Sequence, residues 1–150
     1  MHRTLTNPRT SHILLLNIKK EEEMTLTEYF ENTLGRCVLA TADAKGMVDL
    51  AIYSRPHVID EETVAFIMLD RLSHVNLQSN PHAAFLFMEA GEKYIGMRLF
   101  LTKIREEDDQ EVIEKFRRKK SYELPDDDKK KRFLVYFHID KVLPLIGHHE

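Results

Sequence analysis

The fold is decided by one stretch of sequence, Val64-Ala65-Phe66-Ile67-Met68-Leu69-Asp70-Arg71-Leu72-Ser73-His74, and by residues 75–88, which follow it. Apolar runs of strand length at 64–69 and 83–88 flank a polar turn and a short helical segment, which Asn80-Pro81 ends. Backbone N–H groups lack intrahelical partners where a helix begins, so the turn is a candidate anion site. A plain connector with a solvated arginine and a capping serine fits the same residues, and the local pattern leaves both interpretations open.

Length, charge and cysteine content limit the class of protein. The chain has 150 residues, which is enough for one domain with a sizeable core. Its net charge of −3 gives no broad basic field, so we expect no nucleic-acid partner. No apolar run approaches the roughly 20 residues that cross a bilayer, so we expect no membrane partner. The single cysteine, Cys37, excludes an intramolecular disulfide and favours a reducing, cytoplasmic location.

Residues 1–23 are interpreted as an N-terminal extension that is not part of the core. Their apolar run at 13–16 is shorter than the roughly 7–15 residues of a signal-peptide core. The acidic run at 21–23 is solvated. We therefore expect the domain to comprise residues 24–150.

The remaining sequence predicts short helices and several strands. Thr25-Leu26-Thr27-Glu28 matches a capping box and starts a helix over 25–34, with Leu34 on its apolar face and Gly35 as the stop. Pro56 interrupts the second strand, which His57-Val58-Ile59 continues. Strands are predicted at 36–42, 47–59, 63–69, 83–88, 93–105 and 133–140, and a last helix begins at Asp108. Short connections dominate, so the pattern predicts an α+β, mostly β fold: an antiparallel barrel of about six strands with a few short covering helices.

Several kinds of site are weakly supported by the sequence. The eight histidines are scattered and no H-E-x-x-H pattern occurs, so we expect no metal site. The basic run 117–120 follows the last predicted helix, where cations favour the helix dipole. We interpret that run as a solvated helix end.

Five segments matter by their order and spacing: Gly35-Arg36-Cys37-Val38-Leu39-Ala40-Thr41, Asp43-Ala44-Lys45-Gly46, the apolar third strand, Asn76-Leu77-Gln78-Ser79-Asn80-Pro81 and Tyr94-Ile95-Gly96-Met97-Arg98-Leu99-Phe100-Leu101-Thr102-Lys103. The most specific of them is Asn76-Leu77-Gln78-Ser79-Asn80-Pro81. In their order and spacing, from about Leu26 to Arg105, the chain resembles the pyridoxamine 5'-phosphate oxidase-like FMN-binding family. The resemblance covers more than half of the chain. It implies a split β-barrel and a homodimer with FMN at the subunit interface.

The resemblance also implies a set of cofactor-binding residues. Tyr53, Ser54 and Arg55 would contact the flavin ring or the ribityl chain. The backbone of Ile67, Met68 and Leu69 would line the ring, and Arg71, Ser73 and His74 would face the phosphate. Arg98, like Arg55, is a candidate cation beside N1 and O2 of the ring. Catalytic residues are not assigned.

One position departs from the family pattern. Anchored on Asn76-Leu77, the usual phosphate-binding lysine falls at Ser73, which donates a hydrogen bond but carries no charge. The implied function is FMN-dependent redox chemistry on a small molecule. A non-catalytic flavin- or haem-binding or sensing protein and a deazaflavin-dependent reductase remain alternatives.

Overall fold

The computed structural model describes residues 24–118 and 129–147. These residues contain three helices: α1 (Leu26–Asn32), α2 (Leu72–Ser79) and α3 (Gln110–Phe116). They also contain seven strands: β1 (Gly35–Ala42), β2 (Val48–Tyr53), β3 (His57–Asp60), β4 (Thr63–Leu69), β5 (His82–Glu89), β6 (Gly96–Glu107) and β7 (Arg132–Pro144). The predicted extension 1–23 lies outside the described residues and stays a prediction.

All seven strands form one antiparallel sheet in the order β2-β1-β5-β6-β7-β4-β3. The two edge strands, β2 and β3, are nevertheless consecutive in the chain and are joined by residues 54–56. The four Cα–Cα steps from Tyr53 to His57 span at most about 14 Å. The sheet therefore curves until its two edges approach each other without pairing, as in an open or split barrel. We call the gap between these edges the seam.

The core fills the inside of this curved sheet. It is rich in aromatic side chains from α1 and from both halves of the sheet: Phe30, Phe66, Phe85, Phe87 and Phe137. The Tyr53 and Phe66 rings meet edge to face across the seam, with centroids 5.9 Å apart. The seam is thus closed by side-chain packing at its inner side, although no strand ladder crosses it.

Local signals explain the start of α1 and the contact at Gly96. Thr25 Oγ1 accepts from the Glu28 N–H at 3.0 Å, and Glu28 Oε1 accepts from the Thr25 N–H at 3.1 Å, as the capping box predicts. At Gly96, a Cβ atom would collide with the backbone carbonyl of Phe87. Glycine is required there because two neighbouring strands approach closely.

The predicted fold class is confirmed: the fold is α+β and mostly antiparallel β, with short helices on an unclosed, split-barrel-like sheet. The predicted continuation of the second strand through His57 was wrong. Pro56 has no N–H to donate, and the chain crosses to the opposite edge, where His57 pairs with Ala65 of β4. The strand count is therefore seven rather than about six.

Smaller differences concern the helix and strand ends. Helix α1 ends at Asn32, and Leu34, predicted on its apolar face, is exposed. Strand β6 begins at Gly96 rather than at 93, and β7 continues to Pro144. No helix in the described part of the chain is long and apolar enough to cross a membrane.

Candidate functional site

A pocket of about 520 Å³ lies along the seam. Most of its wall comes from strand β2, the link that follows it, the end of β4 and the start of α2. Arg117 and Arg118, after α3, and Arg132, at the start of β7, complete the wall. This volume falls in the range of small-molecule sites. Its lining residues are Asp49, Leu50, Ala51, Ile52, Tyr53, Ser54, Arg55, His57, Phe66, Ile67, Met68, Leu69, Arg71, Leu72, Ser73, Arg117, Arg118 and Arg132.

Eight of the ten predicted cofactor-binding residues line this pocket, and two do not. The eight are Tyr53, Ser54, Arg55, Ile67, Met68, Leu69, Arg71 and Ser73. The other two, His74 and Arg98, face other parts of the molecule. The structure thus brings most of the predicted set together, while the role of each residue stays a prediction.

Helix α2 is held at the seam by the Asn76–Pro81 segment. The buried Asn76 amide donates to the Thr41 hydroxyl of β1 at 3.0 Å, and Leu77 enters the core. The Asn80 amide donates to the Asp43 carbonyl at 3.3 Å, in the turn after β1. These contacts fix the direction in which the first turn of α2 points. They explain why the Asn76–Pro81 segment has asparagine at positions 76 and 80 and leucine at position 77.

One end of the pocket, which we call the α2 corner, is formed by Arg71, Ser73 and Arg132. The N-cap residue of α2, Arg71, makes no side-chain capping hydrogen bond. N–H groups at the start of a helix favour a nearby anion. Arg132, the first residue of β7, pairs with Leu69 of β4. Leu69 lies two residues before Arg71 in the chain. Arg132 also lines the pocket, at the level of Leu69.

Tyr53 joins this corner from β2. Its phenol lies beside Ser73, and burial raises the pKa of the phenol although Ser73 and the charge of Arg71 act to lower it. The phenol therefore stays neutral near pH 7 and keeps a proton with which to hydrogen-bond. The α2 corner combines two guanidiniums, a hydroxyl, a phenol and a helix N-terminus, which suits a phosphate group.

The opposite end, which we call the clamp end, is formed by Arg55, Arg117 and Arg118. The Arg55 guanidinium donates to the carbonyls of Phe30 at 2.7 Å and Thr33 at 3.3 Å, at the end of α1. Arg118 donates to the carbonyl of Arg55 at 2.8 Å. Two arginines thus tie α1 and the end of α3 to the link between β2 and β3.

His74 points away from the pocket. Its Nδ1 lies 2.7 Å from an Asp70 oxygen, its Nε2 lies 2.9 Å from a Glu106 oxygen, and its ring stacks on Phe133 at 4.0 Å. Gln78 and Lys103 complete this group, which we call the His74 cluster. Burial would raise the pKa of Glu106, but hydrogen bonds from Lys103, His74 and Gln78 outweigh it and lower the pKa to about 2.

Arg98 also lies away from the pocket lining. It donates through Nε to the Pro144 carbonyl at 2.9 Å and through a terminal nitrogen to the Gly147 carbonyl at 3.1 Å. These bonds hold the end of β7 against β6. The arrangement favours a structural role for Arg98 over contact with a flavin ring.

Sequence reasoning missed three arginines that line the pocket. Arg117 and Arg118 were interpreted as a solvated helix end, and that interpretation was wrong for both residues. Arg132 gave no local signal. Its position follows from the register of β4 with β7, which joins residues 63 positions apart in the chain.

Comparison of the sequence with protein-family models and with curated proteins gives no match. Comparison with solved structures gives several. An FMN-binding protein from Syntrophomonas wolfei is 16% identical, with a TM-score of 0.69 over 93% of this chain and 90% of that one. An F420 reductase is 15% identical, with a TM-score of 0.61 over 80% of this chain and 98% of that one.

A third solved structure is a Clostridium acetobutylicum protein related to general stress protein 26, of the pyridoxinephosphate oxidase family. It is 16% identical, with a TM-score of 0.53 over 71% of this chain and 76% of that one. The chain therefore has the fold of the pyridoxamine 5'-phosphate oxidase-like FMN-binding proteins. The resemblance predicted from the sequence is confirmed at this level.

Proposed function

We propose that the chain binds FMN in the seam pocket and is a flavin-dependent oxidoreductase that acts on a small molecule. The observation that carries this proposal is the α2 corner, where Arg71, Ser73 and Arg132 meet an uncapped helix N-terminus at one end of the pocket. The likeness to an FMN-binding protein adds support.

The residues present fit a flavin phosphate. A phosphate monoester carries close to two negative charges, and two guanidiniums can bind it with paired hydrogen bonds. Tyr53 and the β4 residues Ile67, Met68 and Leu69 form the wall along which a flat ring would lie. A bound flavin supplies the redox chemistry, while these residues bind it, orient it and exclude water.

The absorption spectrum of the purified protein tests this proposal. We expect the bands of oxidised flavin, either as isolated or after FMN is added and excess removed. Bleaching by NADH or NADPH would then identify an electron donor. A protein that takes up no FMN, or one that shows a Soret band, would contradict the proposal, and the latter would favour haem binding.

A deazaflavin-dependent reductase is the second candidate, and the likeness to an F420 reductase favours it. The two candidates differ in the cofactor, so parallel titrations with FMN and with F420 distinguish them. We expect FMN to bind more tightly. Preferential binding of F420 would replace the first candidate with the second.

We also propose that the protein is a homodimer with the cofactor at the interface. On β2, an edge strand, Val48, Leu50 and Ile52 expose 80%, 72% and 74% of their surface. Leu72 of α2 is exposed beside them, and it lines the pocket together with Leu50 and Ile52. An apolar patch of this kind favours a protein partner, and a second copy placed there would cover the open side of the pocket.

Light scattering during gel filtration tests this assembly. We expect a dimer, and Val48→Glu should produce a monomer because it places a charge within the patch. Ile104→Glu is the matched control, since Ile104 is an exposed apolar residue of β6 that does not line the pocket. A wild-type monomer, or equal dissociation of both variants, would contradict the proposal.

A further inference from the structure

Strand β2 directs one carboxylate toward the inside of the sheet. Alternate residues of this strand pair with buried residues of β1: Asp49 with Thr41, Ala51 with Leu39, and Tyr53 with Cys37. Paired side chains point to the same face of a sheet, so Asp49 points to the face on which the Thr41 side chain is buried. Leu50 and Ile52 point the other way and are exposed. The charge of Asp49 therefore lies on the core side of an edge strand.

Asp49 also lies beside α2. The hydroxyl of its partner Thr41 accepts from the Asn76 amide of α2 at 3.0 Å. Burial is the main cause of the raised pKa of Tyr53, and the Asp49 charge adds to this shift while the Arg71 charge opposes it. Asp49 and Arg71 thus both act on the same phenol. This places the Asp49 carboxylate next to the α2 corner.

The Asp49 carboxylate lines the pocket without a hydrogen-bonding partner among the described residues. It is half-buried, and no other residue in 24–118 or 129–147 forms a hydrogen bond or an ion pair with it. A carboxylate that is partly removed from water is costly unless another group donates to it. Ala51, the next inward residue of β2, also lines the pocket and ends at its Cβ atom, which leaves space. The oxygens of Asp49 are therefore open to a ligand in the pocket.

We propose that Asp49 is a specificity-determining residue, whose carboxylate accepts a hydrogen bond from a hydroxyl group adjacent to the phosphate of the ligand. This inference rests on the proposed function, because FMN carries such hydroxyl groups on its ribityl chain. Arg71 attracts the phosphate, whereas Asp49 repels a bare anion and favours one with a donor beside it. The pocket thus selects polyol phosphates over phosphate esters of apolar chains, which would leave the carboxylate unpaired.

Fluorescence titration with two flavins tests this selection. The probes are FMN and an analogue in which a pentyl chain replaces the ribityl chain, so that ring and phosphate stay the same. In Asp49→Ala we expect FMN affinity to fall about fourfold, because the hydroxyl loses its acceptor. Affinity for the analogue should rise about threefold, because the repulsion of the phosphate is removed. The preference for FMN should therefore decrease about tenfold. The same preference in wild type and Asp49→Ala, or an equal loss of affinity for both probes, would overturn the proposal.

Two further variants serve as controls. Asp49→Asn keeps the size of the side chain and a neutral acceptor, so the preference for FMN should lie between those of wild type and Asp49→Ala. Glu92→Ala makes the same change of charge at an exposed residue outside the pocket lining, and both affinities should stay within about twofold of wild type. An equal shift of preference in Glu92→Ala and Asp49→Ala would contradict a local role for Asp49.

Failure of this inference is distinguishable from failure of the proposed function. A wild-type protein that binds neither FMN nor the analogue would overturn the flavin assignment, and the role of Asp49 with it. A protein that binds FMN tightly, with a preference that does not depend on Asp49, would overturn the role of Asp49 and leave the flavin assignment standing.

Discussion

Ser73 and His74 are neighbours in the first turn of α2, yet they belong to different parts of the molecule. Ser73 lies beside the Tyr53 phenol and lines the pocket, whereas His74 lies between two carboxylates in the His74 cluster. Consecutive side chains on a helix point about 100° apart, so a polar turn divides its residues between two faces. One face of this turn lines the pocket, and the other holds α2 to β6.

The largest expected effect comes from removing the His74 ring. His74→Ala leaves the buried side of Glu106 without one of its donors and removes the stacking on Phe133. We expect a loss of roughly 3 kcal/mol in the free energy of unfolding, measured with urea. FMN affinity of the folded fraction should not change. The exposed His82, replaced by alanine, is the control and should cost less than about 0.5 kcal/mol.

Arg71→Ala should act mainly on ligand binding, whereas His74→Ala acts on stability. Arg71 is exposed and lines the pocket, so its removal should weaken FMN binding roughly 30-fold, a larger effect than it has on stability. Fluorescence titration with FMN measures the affinity. The control is Arg36→Ala, an exposed arginine outside the pocket lining. Equal FMN affinity in Arg71→Ala and wild type would rule out the phosphate assignment at the α2 corner.

A pH titration separates the two faces in another way. The pKa of Glu106 is lowered in the folded state from 4.5 to about 2, so its ionised form stabilises the fold. That contribution is complete above pH 4.5 and is lost as the pH falls toward 2. Stability measured by urea unfolding should decline over this interval, and Glu106→Gln should make the decline shallower. An identical pH profile in the variant would contradict the role of the His74 cluster.

The smallest expected effect is that of Tyr53→Phe. This change removes the phenol hydroxyl beside Ser73 and keeps the ring packed on Phe66. FMN affinity should fall less than about fivefold and stability by at most about 1 kcal/mol. A loss as large as that of Arg71→Ala would instead mean that the phenol contacts the ligand directly.

Local patterns predicted the local parts of this structure well. The bounds of β4 match the predicted 63–69, the capping box of α1 is present, and the strand–turn–helix order around Arg71 is as expected. These features depend on neighbouring residues: apolar runs, caps and a proline stop. Eight of the ten proposed site residues line one pocket for the same reason: their positions follow from strands and turns that neighbouring residues determine.

The parts that were missed depend on contacts between distant residues. Arg132 reaches the α2 corner through strand register, and Arg117 and Arg118 reach the clamp end because α3 ends against the link between β2 and β3. A basic run looks the same in sequence whether it faces solvent or a cavity. Likewise, two of the contacts that orient His74, those with Glu106 and Phe133, come from residues distant in the chain.

The strand pairing beside Leu69 also links ligand supply to the lifetime of the protein. Arg71 and Arg132 come together only while β4 and β7 keep their register, so a ligand that needs both binds the native chain and not the unfolded one. By mass action, such a ligand at 100 times its dissociation constant adds about 2.7 kcal/mol to the free energy of unfolding. Under the proposed function that ligand is FMN, so cells short of FMN would hold more unfolded chain, which proteases remove, and the abundance of the protein would follow the supply of FMN.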